Sequence, residues 1–209
     1  MKVLVLGANG QIARLAEKEL TQAKISQRLF LRNPSRIEPN ELQEVVAGDA
    51  TNLADLQEAL NGIEIVYANL AGQTIEQQAR NVVQAMKEQR VKRLIWISTL
   101  GIYDEVPGNY GKWNHQMLDG GYLETYSAAA KVIEESDLDY TIIRPAWLSN
   151  KAEVDYELTQ KGEPFRGTEV SRQSIAALVT KLILNPDEHL HESLGVNKPN
   201  TDGDKPAWY

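Results

Sequence analysis

The chain has no cysteine, which excludes disulfides, thiolate metal sites and thiol nucleophiles. It also lacks any apolar run long enough to span a membrane. The first residues carry one charge, Lys2, and their apolar run stops at Gly7. That pattern is not read as a secretory signal, and the composition fits the cytoplasm. An excess of positive charge is missing too. Lys and Arg number 22 against 29 Asp and Glu, for a formal net charge of −7. A nucleic-acid surface needs a basic stripe, so no nucleic-acid partner is expected. Lys87, Arg90, Lys92 and Arg93 do concentrate, but at the expected end of a helix, where cations complement the dipole. They are read as solvated. No internal repeat or low-complexity segment appears.

Within its 209 residues, 42% are hydrophobic, enough for one domain, 1–209, with a sizeable core. The most informative stretch comes first. Val3–Leu6 reads as a buried parallel strand and Gln11 onward as an amphipathic helix, with Gly7-Ala8-Asn9-Gly10 between them. A strand feeding a helix through such a turn aims free backbone N–H groups and the positive helix end at one point, which suits a pyrophosphate. Gly7, Asn9, Gly10, Gln11 and Ile12 are the residues expected to hold it. The spacing is G-x-x-G-x-x-A, with the small Ala13 letting helix and strand pack closely.

Strand-like runs follow at Arg28–Leu31, Glu44–Val46, Glu64–Tyr67, Arg93–Ile97 and Tyr140–Ile143. Helical stretches fall at Gln11–Gln22, Leu53–Leu60, Thr74–Gln89 and Leu123–Ser136. Near-continuous apolar strands such as Leu94-Ile95-Trp96-Ile97 suit a sheet covered on both faces. The alternation predicts an α/β fold, a doubly wound parallel sheet of the Rossmann type. Two insertions, 101–121 and 147–171, follow strands at their carboxyl ends, where such sheets place their ligand crevice. They are expected to form a small substrate-side lobe. The tail from Asn185 is read as a surface wrap ending on Trp208 and Tyr209.

An NAD-selecting site usually has Asp or Glu at the end of the second strand, about twenty residues past the glycines. Here Leu31 is followed by Arg32-Asn33-Pro34-Ser35-Arg36. The Arg32 guanidinium can grip a 2′-phosphate that an acid would repel, so NADP(H) is expected in preference to NAD(H). The alternative for Arg32 is stacking on the adenine. Asp49, with Ala50, follows the third strand, where an Asp meets the adenine amino group. Asp49 could instead cap the next helix, a role for which Thr51 and Asn52 compete.

Gly7–Ala13, Leu31-Arg32-Asn33-Pro34, Gly48-Asp49-Ala50 and Leu138-Asp139-Tyr140-Thr141-Ile142-Ile143-Arg144-Pro145 together resemble the atypical short-chain dehydrogenases/reductases. Within them the chain is similar to the small NAD(P)H-binding, NmrA-like group that includes biliverdin reductase B and flavin reductase relatives. The resemblance implies that Pro145 and Ala146 lie beside the nicotinamide, with Trp147 and Leu148 nearby. It also implies that Leu70, Ala71 and Gly72 pass under the nicotinamide ribose. Typical members carry Tyr-x-x-x-Lys on the helix before the Arg-Pro strand and a Ser after the fifth strand.

Ser98 fills the Ser slot, with Thr99 beside it. Tyr126 and Lys131 are one residue too far apart for the motif. Counting back from the Arg-Pro segment puts Tyr122 in the Tyr slot and Tyr126 in the Lys slot, so the lysine is absent and Lys131 is read as solvated. Ser98 and Tyr122 are the catalytic candidates. An unassisted phenol titrates near 10, which makes it a poor base for alcohol oxidation. A flavin or quinone spreads incoming negative charge and can take its proton from water. Two readings survive: NADPH-dependent reduction of a conjugated small-molecule acceptor, or a non-catalytic NADP(H)-sensing module with a regulatory protein partner, in either case a monomer or homodimer.

Tyr103, Tyr110, Trp113, Tyr122, Tyr126, Trp147 and Tyr156 cluster in and around the insertions. They could form a flat slot for a ring system or simply the core of the lobe. His115 reads as a surface loop histidine. Asp104, Glu105, Asp155 and Glu157 read as solvated loop acids. His189 and His191, with Asp187, Glu188, Asp202 and Asp204 near them, read as solvated surface, so no metal site is expected.

Overall fold

The computed structural model describes every residue from Met1 to Tyr209. Its chain runs β1 (Lys2–Leu6), α1 (Gln11–Gln22), β2 (Ser26–Leu31), a short 3-10 turn (Pro34–Arg36), β3 (Gln43–Ala47), α2 (Leu53–Ala59), β4 (Ile65–Ala68), α3 (Ile75–Glu88) and β5 (Arg93–Ile97). It continues through α4 (Gly108–Leu118), α5 (Tyr122–Glu134), β6 (Asp139–Pro145), β7 (Trp147–Ser149), β8 (Glu157–Thr159), β9 (Glu169–Ser171), α6 (Arg172–Leu184) and β10 (Glu192–Asn197). The main sheet has the order β3-β2-β1-β4-β5-β6-β10-β8. All of its pairs are parallel except β10 with the edge strand β8. The order reverses between β1 and β4, which is the switch point where an open α/β sheet binds its ligand.

Period-two alternation divides the core. Val3, Val5, Ile65, Tyr67, Ile95 and Ile97 face one side with α1 and α6. Leu4, Leu6, Val66, Ala68, Leu94 and Trp96 face the other, with α2, α3 and α5. α1 presents Ile12, Ala13, Ala16 and Leu20 to the sheet, and α3 presents Ile75, Ala79, Val82, Ala85 and Met86, the spacing that places one stripe inward.

Four expectations are corrected. The segment after Asn185 is not all surface wrap. Glu192–Asn197 forms β10, buried beside β6. Its apolar content is too low to read as a core strand. Its polar residues are spent inside, where Ser193 holds Arg144, and Gly195 leaves room for the Phe165 ring. Arg93 is not solvated: its guanidinium is buried against the carbonyls of Asp139 and Glu188 and the Thr141 hydroxyl. Burial lowers its pKa to about 10. Glu105 is not a solvated loop acid, because it is buried in an ion pair with Arg144. His115 lies on α4 rather than in a loop and bridges Asp119 (2.8 Å) and Asp104 (3.1 Å). Those two hydrogen bonds raise its pKa.

Candidate cofactor and acceptor site

The glycine turn is built so that little but backbone faces outward. Gly7 has a φ of +74°, a left-handed conformation that glycine adopts without cost. Its N–H donates to the Phe30 carbonyl at 3.0 Å, and the Gly10 N–H donates to the Gly7 carbonyl at 2.9 Å. Asn69, just past β4, lies across this turn. A Cβ at Gly7 would collide with the Asn69 carbonyl oxygen, and one at Gly10 with its side-chain amide. Asn69 was not expected in the site. Its only sequence signal is a polar residue directly after an all-apolar strand.

Gly10 caps α1 without a side chain, and no acidic residue occupies the first turn. The backbone N–H groups of Asn9, Gln11, Ile12 and Ala13 have no protein acceptor. They form an open, positively polarised helix end of the kind that binds a phosphate group. The Ile12 side chain itself is buried in the core, so only its N–H is available.

At one end of the crevice, Arg32 is exposed at the tip of β2. Its charge is felt by Asp49. One Asp49 oxygen accepts from the Thr51 N–H and hydroxyl, both at 2.8 Å, and these bonds hold its carboxyl below the usual range. Asn52, not Asp49, caps α2 through the Ala54 N–H. Ala50 is buried, and its carbonyl accepts from the Asn81 amide at 3.1 Å.

The opposite end is formed by the carboxyl ends of β4, β5 and β6. Leu70 is half-buried while Ala71 and Gly72 are exposed. The Ala71 carbonyl is fixed by the Gln78 amide at 3.2 Å. Ser98 is only 6% exposed, and its hydroxyl has no partner in the protein. An orphaned hydroxyl at this depth calls for a ligand or water. Pro145 and Ala146 are buried, tied to neighbours by Leu100 N–H to the Pro145 carbonyl (3.2 Å) and Ala146 N–H to the Val196 carbonyl (2.9 Å).

Tyr122 and Tyr126 stack in the first turns of α5, centroids 4.4 Å apart. Tyr122 is exposed and Tyr126 buried. Burial pushes the Tyr126 phenol well above its ordinary value. No hydrogen bond joins Tyr122 to Ser98. Lys131 lies two turns further on, 74% exposed and paired with Glu135 at 3.8 Å.

The two insertions meet above this end. Trp113 of α4 stacks with Tyr110 and lies against Trp147 of β7, which pairs with β9. The Trp147 indole N–H donates to the buried Asn114 amide at 3.1 Å. Below them Arg144 is enclosed by Glu105, Ser193 and the rings of Tyr103 and Phe165. The Glu105 carboxylate also accepts from the Gly101 and Tyr103 N–H groups. The Arg of the Arg-Pro pair thus clamps the loop that follows β5. Tyr156 packs at the edge of this core. No group of three or more His, Asp or Glu side chains is arranged to hold a metal. His189 faces Glu192 and His191 faces Asp139. No helix is long and apolar enough to cross a membrane.

A doubly wound sheet with an uncapped glycine-turn helix at its switch point defines a dinucleotide-binding protein of the Rossmann class. Residues 7–186 match the NAD(P)H-binding family model, and the chain belongs to that family, within the atypical short-chain dehydrogenase/reductase group. It is similar to a Rossmann-fold NAD(P)-binding family protein from Shigella flexneri, with 44% identity, 98% of this chain and 97% of that one covered, and a TM-score of 0.85. It is also similar to a wide-type short-chain dehydrogenase/reductase from Veillonella parvula in complex with NADP, with 31% identity, 99% and 98% covered, and a TM-score of 0.91. An anaerobillin reductase from Escherichia coli O157:H7 shares the fold at 17% identity, 97% and 100% covered, with a TM-score of 0.81. No curated protein matches the chain.

Proposed function

We propose that this protein is an NADPH-dependent reductase of a flat conjugated acceptor of the flavin or quinone type. The observation that carries the reading is the Tyr122–Tyr126 stack with no cation beside it. A tyrosine that must take a proton from an alcohol needs a neighbouring ammonium to lower its pKa. Here burial drives Tyr126 the other way, and Lys131 faces solvent. The pair can orient a ring and donate a hydrogen bond, and the buried Tyr126 is poorly suited to serve as a base at neutral pH.

When bound, the nicotinamide supplies a hydride; the acceptor gains that hydride and one proton from water, leaving the oxidised dinucleotide. The α1 N–H groups hold the pyrophosphate, and Arg32 holds the 2′-phosphate. Asp49 and Ala50 border the adenine, while Leu70–Gly72 border the nicotinamide ribose. Pro145 and Ala146 wall the ring, with Ser98 giving it a hydrogen bond. The NADP complex of the Veillonella relative supports the choice of a nicotinamide dinucleotide by analogy. The lobe from 101–121 and 147–171 is the acceptor wall, and the cysteine-free composition supports a cytoplasmic setting.

Purified protein mixed with NADPH and a panel of flavins and quinones tests the reading. The expected result is loss of absorbance at about 340 nm above the uncatalysed rate. NADPH binding with no turnover of any acceptor overturns it in favour of the sensing module. Arg32→Ala tests the cofactor preference: NADPH affinity should fall by about tenfold or more, with NADH affinity little changed.

A further inference from the structure

The segment 198–209 reaches the lobe rather than hanging free. The Thr201 carbonyl accepts from the Thr168 N–H (3.1 Å) and hydroxyl (2.7 Å), and Gly167 bridges to Asp202. Glu169 of β9, whose side chain is almost fully buried, anchors both sides of the join. Its carboxylate accepts from the Ala207 N–H at 3.2 Å and pairs with Lys151 at 2.9 Å. Burial pulls the Glu169 pKa up, but Lys151 and the Ala207 N–H outweigh it and keep the carboxylate ionised.

These ties deliver the Tyr209 ring to the two tryptophans of the insertions. Tyr209 meets Trp113 edge-on at 5.1 Å and Trp147 at 5.5 Å, while the tryptophans lie 4.8 Å from each other. Trp147 stands two residues beyond Pro145, at the carboxyl end of β6, and its plane is set by the Asn114 bond. The three-ring cluster thus stands just past the carboxyl end of β6 and is held from three separate parts of the chain. It is not closed. Tyr209 is 51% exposed, and Met117, Tyr122 and Trp208 are exposed as well. Four of the eight exposed large apolar side chains of the protein thus belong to α4, the start of α5 and this segment. Exposed aromatic rings at the carboxyl end of a sheet strand are surface that a planar ligand can cover.

We propose that segment 198–209 completes the acceptor site, with Tyr209, Trp113 and Trp147 forming one aromatic wall against which a planar conjugated acceptor lies. This rests on the acceptor reading above and assigns its specificity to a residue outside both insertions. Offset-stacked or edge contact with such rings favours flat π-systems. The cation–ring contacts of the protein fall on Tyr103 and Phe165 and on none of these three rings, so an uncharged ring system such as riboflavin or a quinone is the occupant we assign to the wall.

Riboflavin binding, read by quenching of tryptophan fluorescence with the site saturated by NADP+, separates the possibilities without needing turnover. Tyr209→Ala should raise the riboflavin Kd by about tenfold, and Tyr209→Phe should stay within about twofold of the wild type. NADPH affinity should not change in either variant, because Tyr209 does not belong to the cofactor cradle. In steady-state assays Tyr209→Ala should raise KM for the acceptor and leave kcat nearly unchanged. A Tyr209→Ala protein that binds riboflavin as the wild type does overturns the assignment of Tyr209. A wild type that binds NADPH but, in the same titration, neither riboflavin nor a benzoquinone removes the acceptor reading, and this inference with it.

Discussion

Arg144 and Glu105 form an ion pair closed to solvent on both sides, their side chains 0% and 5% exposed. The guanidinium is further satisfied by the Ser193 hydroxyl and carbonyl at 3.0 and 3.1 Å. One residue belongs to a central strand and the other to the loop after β5, which also carries Ser98. The pair joins the frame of the sheet to the wall of the site.

Breaking that pair leaves a charge buried without its partner. Glu105→Ala is expected to cost about 3–5 kcal/mol of stability in urea unfolding. Replacing both members with apolar residues of similar volume should cost less than the two single changes summed. A single-variant cost under about 1 kcal/mol would contradict the buried pairing.

Glu17 supplies a pH dependence. It sits on the inner face of α1, with Oε1 unpartnered, near the equally unpartnered Tyr67 hydroxyl of β4. Burial raises its pKa from 4.5 to about 8, against a smaller opposing pull from Arg14. The unfolded chain loses this proton near 4.5, whereas the folded chain keeps it until about 8. Across that window the folded state binds more protons, so the Glu17 contribution makes stability fall as pH rises, then level off. Glu17→Gln should melt above the wild type at pH 8, by a difference worth a few kcal/mol. The gap should close towards pH 5; one that does not vary with pH would refute the buried acid.

Gly10 and Asn69 test the cradle. The Cβ of Gly10→Ala meets the Asn69 amide, so overpacking should destabilise the protein by about 1–3 kcal/mol and weaken NADPH binding. In an Asn69→Ala background the space opens, and the added cost of Gly10→Ala should shrink measurably in the same unfolding assay. Equal costs in the two backgrounds would show that the two residues do not touch.

Lys131 is expected to do nothing for the cofactor. Its pair with Glu135 is exposed, and such pairs contribute little. In Lys131→Ala, NADPH affinity measured by fluorescence titration and turnover should both remain within about twofold of the wild type. A tenfold loss in either would return Lys131 to the site and restore the ordinary tyrosine–lysine arrangement.

The frame was legible because its signals are local. An apolar run, a glycine turn and a 3.6-residue stripe each declare themselves within a dozen residues, and β1, α1, β5 and α3 stand where those signals put them. β10 and the burial of Arg93 and Glu105 were not legible. Their polar groups look solvated until distant partners from β6 and the loops satisfy them. Ser98, Tyr122 and Arg32 could be singled out by type and position, and the four-residue spacing of Tyr122 and Tyr126 already put both on one helix face, yet nothing local showed that Tyr126 would be buried and Tyr122 exposed.

By itself, then, the sequence determined the order of strands and helices, the glycine turn and the absence of a lysine four residues after Tyr122. Periodicity and backbone stereochemistry act over short spans, so these needed no folding to be read. Only the tertiary structure decided that Asn69 seals the turn, that Arg144 clamps Glu105, and that Tyr209 meets Trp113 and Trp147. Those pairs lie from 39 to 96 residues apart along the chain, and no local rule brings them together. They meet because burying apolar surface on both faces of one sheet leaves their polar and aromatic groups no other partners.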